Sequence, residues 1–294
     1  MNQEQYFKRV VPLLRPESLR SKRIAVVGNG SVGSRVATEL GRLGVGLLLI
    51  DKPGERLEEH NIHRHELGYR SLGQLKTTAL ADHIRNYNPN VEIATAECDV
   101  TLEPDRFEQL LVAHRVDLIL VCTDNQPSRH AINAVATKLG LPTISSGVYD
   151  GGVGGEVYRT GPGAACYACM AGLLNHRQTT RDQPATIDYS NPDLDGLQST
   201  SALNMDIGQI SLIQTRVALQ ELLGGETDLT GLPREVNLII FANRTHPKAF
   251  PRPLHANFHV MPRHPDCLIC GQQRADTEAE AKTILAGLGV GSGQ

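Results

Sequence analysis

The sequence predicts an α/β protein, with a doubly wound, mostly parallel sheet in its first half and an antiparallel second half. Three observations predict it. Short apolar runs alternate with helix-forming stretches through the first 147 residues, the signature of repeated β–α–β units. A glycine loop, Gly28-Asn29-Gly30-Ser31-Val32-Gly33, joins the first apolar run to the first long helix-forming stretch. The alternation then stops, and Val153–Arg159 reads as an antiparallel strand.

The elements follow in order. Tyr6–Leu14 reads as a short helix in a polar lead-in. Ile24–Val27 is an apolar strand, Ser34–Leu43 a helix, and Val45–Ile50 a second strand that ends in Asp51. Residues 52–76 are loop-rich and charged. Lys76–Tyr87 is a helix stopped by Asn88-Pro89-Asn90, and Val91–Ala96 alternates as a strand. Pro104–Val112 is helical, and Val116–Cys122 is a continuous apolar strand of the kind buried on both faces. A helix over Pro127–Leu139 and a strand over Pro142–Ser146 complete the Rossmann-like half. Residues 174–200 are polar and read as a mobile loop. Leu203–Leu223 is a long helix closed by Gly224-Gly225, and Val236–Phe241 and Phe258–Met261 are candidate strands. Residues 272–294 read as an Ala/Glu-rich helix and a Gly-rich end. The resulting division is a lead-in over 1–22, a Rossmann-like half over 23–150, an antiparallel half over 151–272, and a tail over 273–294.

Composition narrows the function classes. A net charge of −3 gives no broad electrostatic case for nucleic acid or an anionic membrane. No apolar run approaches the roughly 20 residues that span a bilayer, and the first residues lack an apolar signal core. A cytoplasmic protein is the expectation. Of six cysteines, four form two Cys-x-x-Cys hooks, Cys166/Cys169 and Cys267/Cys270. Two such hooks suit one tetrahedral zinc ion that staples distant segments; the alternative is four unrelated buried thiols. A four-thiolate site is closed, so its role would be structural.

The glycine loop points to a phosphate-bearing ligand. Gly28, Gly30 and Gly33 permit a tight turn and close backbone approach, and the helix start offers N–H groups and a positive dipole end. Asp51, at the tip of the second strand, suits ribose hydroxyls. Taken alone, the loop fits a nicotinamide dinucleotide, or a structural turn with no ligand. Asn61, Arg64 and Lys76 favour a triphosphate, whose anionic oxygens and leaving pyrophosphate they would neutralise; a solvated basic loop is the alternative. Asp124 follows the apolar strand at its carboxyl end, where it could hold Mg²⁺. It could equally cap the helix over 127–139, as could Asn125 or Ser128.

These stretches together resemble the ThiF/MoeB/HesA family, adenylyltransferases related to ubiquitin-activating enzymes. The matching segments are Ile24–Gly33, Leu49–Asp51, Asn61–Arg64, Gly73–Lys76, Asn88-Pro89, Cys122–Asn125, Cys166–Cys169 and His264–Gln272. They occur in family order over roughly residues 5 to 272. The resemblance implies ATP and Mg²⁺ binding, and transfer of AMP to the C-terminal carboxylate of a ubiquitin-like, sulfur-carrier-type protein or of a small peptide. It implies that Asp51 holds the ribose, Asn61, Arg64 and Lys76 the phosphates, Asp124 with Asn125 the metal end of the nucleotide, and the four cysteines zinc. It implies a homodimer in which a cation of the partner's lead-in, Lys8 or Arg9, reaches the ATP.

The chain departs from the family pattern in two places. The family's acidic pair reads Asp-x-Asp, whereas Asp51 is followed by Lys52-Pro53, and the gap to Asn61 is about two residues longer. Members that bind substrate covalently use a cysteine in the segment corresponding to 174–200, which has none here. Cys98 and Cys122 read as core, so adenylation without an enzyme thioester is expected. His60, His63 and His65 bracket Arg64; a second metal there is a weaker reading than a phosphate loop. His255, His259 and His264 lie near the second hook, where four thiolates already complete a zinc shell. A dehydrogenase using NAD and a non-catalytic, zinc-stapled binding module are the rival classes.

Overall fold

The computed structural model describes residues 2–171, 201–224, 232–247 and 250–271. The segments read as a mobile loop, 174–200, and as a tail, 273–294, lie outside them. One sheet organises the chain. Its strands are β1 Arg23–Val27, β2 Gly46–Asp51, β3 Ile93–Glu97, β4 Leu118–Val121, β5 Thr143–Val148, β6 Gly154–Thr160, β7 Leu238–Ala242 and β8 His255–His259. Their spatial order is β3-β2-β1-β4-β5-β6-β7-β8. The pairs from β3 to β5 are parallel, and those from β5 to β8 are antiparallel. The expected division near residue 150 therefore falls within a continuous sheet, where β5 and β6 pair from Thr143↔Thr160 to Val148↔Gly155.

Helices α1 Gln3–Phe7 and α2 Pro16–Arg20 occupy the lead-in; the helix expected over Tyr6–Leu14 is found only at Tyr6 and Phe7, and residues 8–13 form turns. Phe7 anchors the first, and Pro16 starts the second at a position where a missing N–H has no cost. The remaining helices are α3 Ser31–Arg42, α4 Lys76–Tyr87, α5 Pro104–Ala113, α6 Gln126–Leu139 and α7 Asn204–Leu223. Gly140 (φ 66°) and Gly224 (φ 58°) end α6 and α7 in the left-handed conformation.

The central strands are buried on both faces, which is why they are continuous apolar runs. Ile24 and Val26 of β1 join a core with Val36 and Leu40 of α3, Leu80 and Ile84 of α4, and Ile210 and Val217 of α7. Ala25 and Val27 face the other way, onto Phe107 and Leu111 of α5 and Ile132 and Val135 of α6. Helices thus cover both faces of the parallel part, the doubly wound arrangement. Truncating fully buried Phe107 to Ala would cost about 3–5 kcal/mol. The last strand lies at His255–His259, earlier than the expected Phe258–Met261. It is an edge strand with four of its five residues exposed, so burial imposes no apolar pattern on it. No described helix is long and apolar enough to cross a membrane.

Candidate nucleotide site and cysteine cluster

β1 and β4 are neighbours in space, while the chain leaves β1 toward β2 on the other side. Their carboxyl ends therefore flank the switch point where open α/β sheets bind ligands. The glycine loop leaves β1 there. Gly28 has φ 87°, and a Cβ on it would lie 3.0 Å from the Cys122 carbonyl. A Cβ on Gly33 would sit 1.9 Å from the Gly28 carbonyl oxygen. These two glycines are required by packing. Gly30 differs: a Cβ there would meet nothing within 4 Å. Gly30 is also the N-cap of α3 and contributes no side-chain cap, and the helical ladder opens with Ser34 N–H donating to Gly30 O at 2.9 Å. Space is thus open beside Gly30 at the start of α3, where the first-turn N–H groups and the positive dipole end suit an anion.

Asp51, the last residue of β2, is tied to this loop. Its Oδ2 accepts from Asn29 N–H at 2.8 Å and its Oδ1 from Lys52 N–H at 3.0 Å. Burial raises its pKa, while the Asn29 hydrogen bond and the nearby Lys76 ammonium oppose that rise. Lys76, the first residue of α4, places Nζ 2.7 Å from Glu55 Oε2. Glu55 follows Gly54 (φ 78°) in the lengthened turn after β2. The Lys52-Pro53 departure is therefore accompanied by an acidic side chain that reaches the site from further along the turn, which sequence reading missed.

Asn61 and Arg64 lie in a 3-10 segment, Glu59–Arg64, inside the stretch expected to be loop. The Asn61 side-chain oxygen accepts from Glu58 N–H at 3.1 Å and so caps that segment. Arg64 ends it, half-buried. At β4 the competing roles separate. Asn125 is the N-cap of α6, its Oδ1 accepting from Ser128 N–H at 2.9 Å. Asp124 is exposed at the strand's carboxyl end and is not the cap. Arg129 braces this loop, donating from Nε to Thr123 O at 3.0 Å and from Nη2 to Ser146 O at 2.8 Å.

The three histidines around Arg64 do not converge. His60 is exposed beside Glu58, with Nδ1 at 3.2 Å from its carboxylate, and His63 is exposed. His65 is buried, at 7% exposure. Among the described residues only the cysteines form a candidate metal cluster. Cys98 and Cys122 are free thiols whose pKa burial raises, that of Cys122 to about 12. A thiol so protonated is a poor nucleophile.

Cys166, Cys169, Cys267 and Cys270 bring their sulfurs within 4.8 Å of one another. The separations are 3.6 Å for Cys166–Cys267, 3.5 Å for Cys169–Cys270 and 3.9 Å for Cys166–Cys169. These are far too long for disulfides. A tetrahedron with zinc–sulfur bonds of about 2.3 Å has edges of about 3.8 Å, so the cluster fits such an ion. The surroundings shape both hooks. Tyr158 OH donates to the carbonyls of Ala165 and Cys166 at 2.8 and 3.1 Å, and His264 N–H donates to Cys169 Sγ at 3.4 Å. A Cβ on Gly271 would lie 2.4 Å from Pro265 O, so the second hook closes only around a glycine.

Comparison with known proteins agrees with this geometry. A model described as the ThiF family matches residues 3–256, most of the chain. Ubiquitin-like modifier-activating enzyme 5 of Culex quinquefasciatus is 37% identical over 169 residues, covering 54% of this chain and 42% of that protein. Adenylyltransferase and sulfurtransferase MOCS3 of Caenorhabditis briggsae is 27% identical over 279 residues, covering 93% of this chain and 61% of that protein. The chain thus spans less than half the length of the first relative and under two thirds of the second. Among solved structures, E. coli MccB with AMPCPP and MccA superposes with a TM-score of 0.65 at 18% identity, over 92% of this chain and 75% of that one. PaaA gives a TM-score of 0.67 at 19% identity, over 88% and 83%. Those two show the shared fold. With the family model matching across both the glycine loop and the first cysteine hook, the chain belongs to the ThiF family.

Proposed function

We propose that the chain is an ATP-dependent adenylyltransferase that activates the C-terminal carboxylate of a ubiquitin-like, sulfur-carrier-type protein as an acyl-adenylate. The observation that carries this is the switch-point geometry: an open-faced glycine loop tied to Asp51 on one side, and an exposed, uncapping Asp124 on the other. The names of the relatives, a modifier-activating enzyme and an adenylyltransferase, support the same chemistry.

In the reaction a carboxylate oxygen of the substrate attacks the α-phosphorus of ATP. The bond to the bridging oxygen breaks, and pyrophosphate leaves with its electron pair. A carboxylate is already ionised at neutral pH, so no general base is needed. Asp51 would orient the ribose, and the first-turn N–H groups of α3 the phosphates. Asn61, Arg64 and Lys76 would position the triphosphate and balance the charge that develops on pyrophosphate. Asp124, with Asn125 beside it, would hold Mg²⁺, which supplies charge neutralisation when bound. The four cysteines would hold zinc in a structural role. With Cys98 buried, Cys122 half-buried, the pKa of both thiols raised, and no cysteine between 170 and 266, the adenylate forms without an enzyme thioester. A cytoplasmic homodimer, with Lys8 or Arg9 of one protomer serving its partner's site, completes the reading; both side chains are exposed.

Exchange of labelled pyrophosphate into ATP, dependent on a carboxylate substrate, tests this. Arg64→Ala should abolish the exchange, and exchange that survives would remove Arg64 from the mechanism. A second reading takes a short peptide as substrate, favoured by the superposition on MccB with its MccA partner. Carrier proteins and peptides tried side by side in the exchange assay separate the two.

A further inference from the structure

Asn29 is the most constrained residue of the glycine loop. It is fully buried, its side-chain amide donates to Ile50 O at 2.8 Å, and its backbone N–H donates to Asp51 Oδ2 at 2.8 Å. The third restraint comes from His65. One imidazole nitrogen, Nδ1, accepts from Leu67 N–H at 3.0 Å, which leaves the ring proton on Nε2. Nε2 lies 2.7 Å from the Asn29 carbonyl oxygen and donates to it. The ring therefore uses both nitrogens to join two distant segments. One carries the glycine loop. The other carries Arg64, whose neighbour in the chain is His65 itself.

We infer that His65 is a positioning residue of the nucleotide site: it sets the register of the glycine loop against the Arg64 segment and does not touch the ligand. This rests on the nucleotide reading above. The Asn29 peptide leads directly into Gly30, where the open anion-facing surface begins. His65 holds that peptide by the Asn29 carbonyl and Asp51 holds the preceding Gly28–Asn29 peptide by the Asn29 N–H, so rotation of the peptide groups at Asn29 is restrained from both sides. Neutral imidazole suits this task because it offers one donor and one acceptor. Imidazolium would offer two donors and lose the Leu67 bond, and burial holds the ring neutral. A glutamine amide offers the same donor and acceptor pair.

The test is titration of the full chain with ATP and Mg²⁺ by calorimetry, with melting of the ligand-free protein as a control. His65→Ala should fold and bind ATP at least about fivefold more weakly, the effect of a lost buried hydrogen bond on loop placement. His65→Gln should bind within about threefold of wild type by the same hydrogen-bond argument. A folded His65→Ala that binds as wild type does would overturn the inference. So would a folded His65→Gln that binds more than about threefold more weakly than wild type, and this arm stands even where His65→Ala fails to fold. Wild-type protein that fails to bind ATP would instead overturn the nucleotide reading itself, and the inference with it.

Discussion

Gly30 and Gly33 lie three residues apart, yet the structure gives alanine at each a different outcome. At Gly33 a new Cβ would lie 1.9 Å from Gly28 O and 3.2 Å from Cys122 Cβ. Gly28 has little room to retreat toward β4, because even a Cβ on it would lie 3.0 Å from the Cys122 carbonyl. The loop must therefore open by about 1 Å, an overpacking strain of about 1–3 kcal/mol. For a chain of this size each kcal/mol lowers Tm by roughly 2–4 °C, so Gly33→Ala should lose up to about 12 °C. At Gly30 nothing lies within 4 Å and φ is −77°, so alanine meets no clash and the cost is limited to a poorer cap, at most about 1 kcal/mol. Its methyl group would nevertheless occupy the space over the helix start. If phosphates lie there, Gly30→Ala should bind ATP with Mg²⁺ at least about tenfold more weakly, or about 1.4 kcal/mol, while Tm of the free protein stays within about 4 °C. Thermal melting and calorimetric titration read the two quantities independently. Unchanged ATP affinity in Gly30→Ala would refute the cradle, and unchanged Tm in Gly33→Ala would refute the packing argument.

Metal analysis of protein purified without chelator should find about one zinc per chain, and Cys267→Ser should lower both zinc content and Tm; a metal-free protein of equal stability refutes the staple. Stability should also depend on pH through His65, whose pKa falls from 6.5 to about 4 because it is buried. The unfolded chain then binds a proton that the native chain does not, so stability is full above pH 6.5 and is lost as pH falls toward 4, by about 3 kcal/mol. Denaturant titrations of wild type and His65→Gln at both ends of that range should diverge by this amount, and parallel curves would refute the shift.

The sequence was most legible where burial acts on both faces of the sheet. β1, β2 and β4 read as apolar runs because each lies between two layers of helices. β8 was displaced by three residues because an exposed edge strand carries no apolar constraint. The cysteine hooks were legible because ligand spacing within each pair is local. The cap of α6 was open among Asp124, Asn125 and Ser128 until the fold gave it to Asn125. His65 and Glu55 were illegible for a common reason. Their partners, Asn29 and Lys76, lie 36 and 21 residues away in sequence, and neither pairing follows from any periodicity.

Glu55 bears directly on how the site can hold a triphosphate. The residues assigned to it within one chain are three carboxylates, Asp51, Glu55 and Asp124, and two cations, Arg64 and Lys76. Their formal sum is one negative charge, and Lys76 is already engaged at 2.7 Å by Glu55 with only 14% of its side chain exposed. A ligand bearing several negative charges is not balanced by such a set, and dipoles of the α3 start contribute only about half a charge. On the function proposed above, Mg²⁺ at Asp124 and a basic side chain of a second protomer, Lys8 or Arg9, would supply the missing cations. The charge balance predicts that ATP titrated in EDTA binds at least about tenfold more weakly than ATP with Mg²⁺, since like charges left unneutralised in a partly buried site cost more than 1 kcal/mol. Equal affinity in the two titrations would mean that residues other than these five neutralise the phosphates, and that Asp124 has no metal to hold.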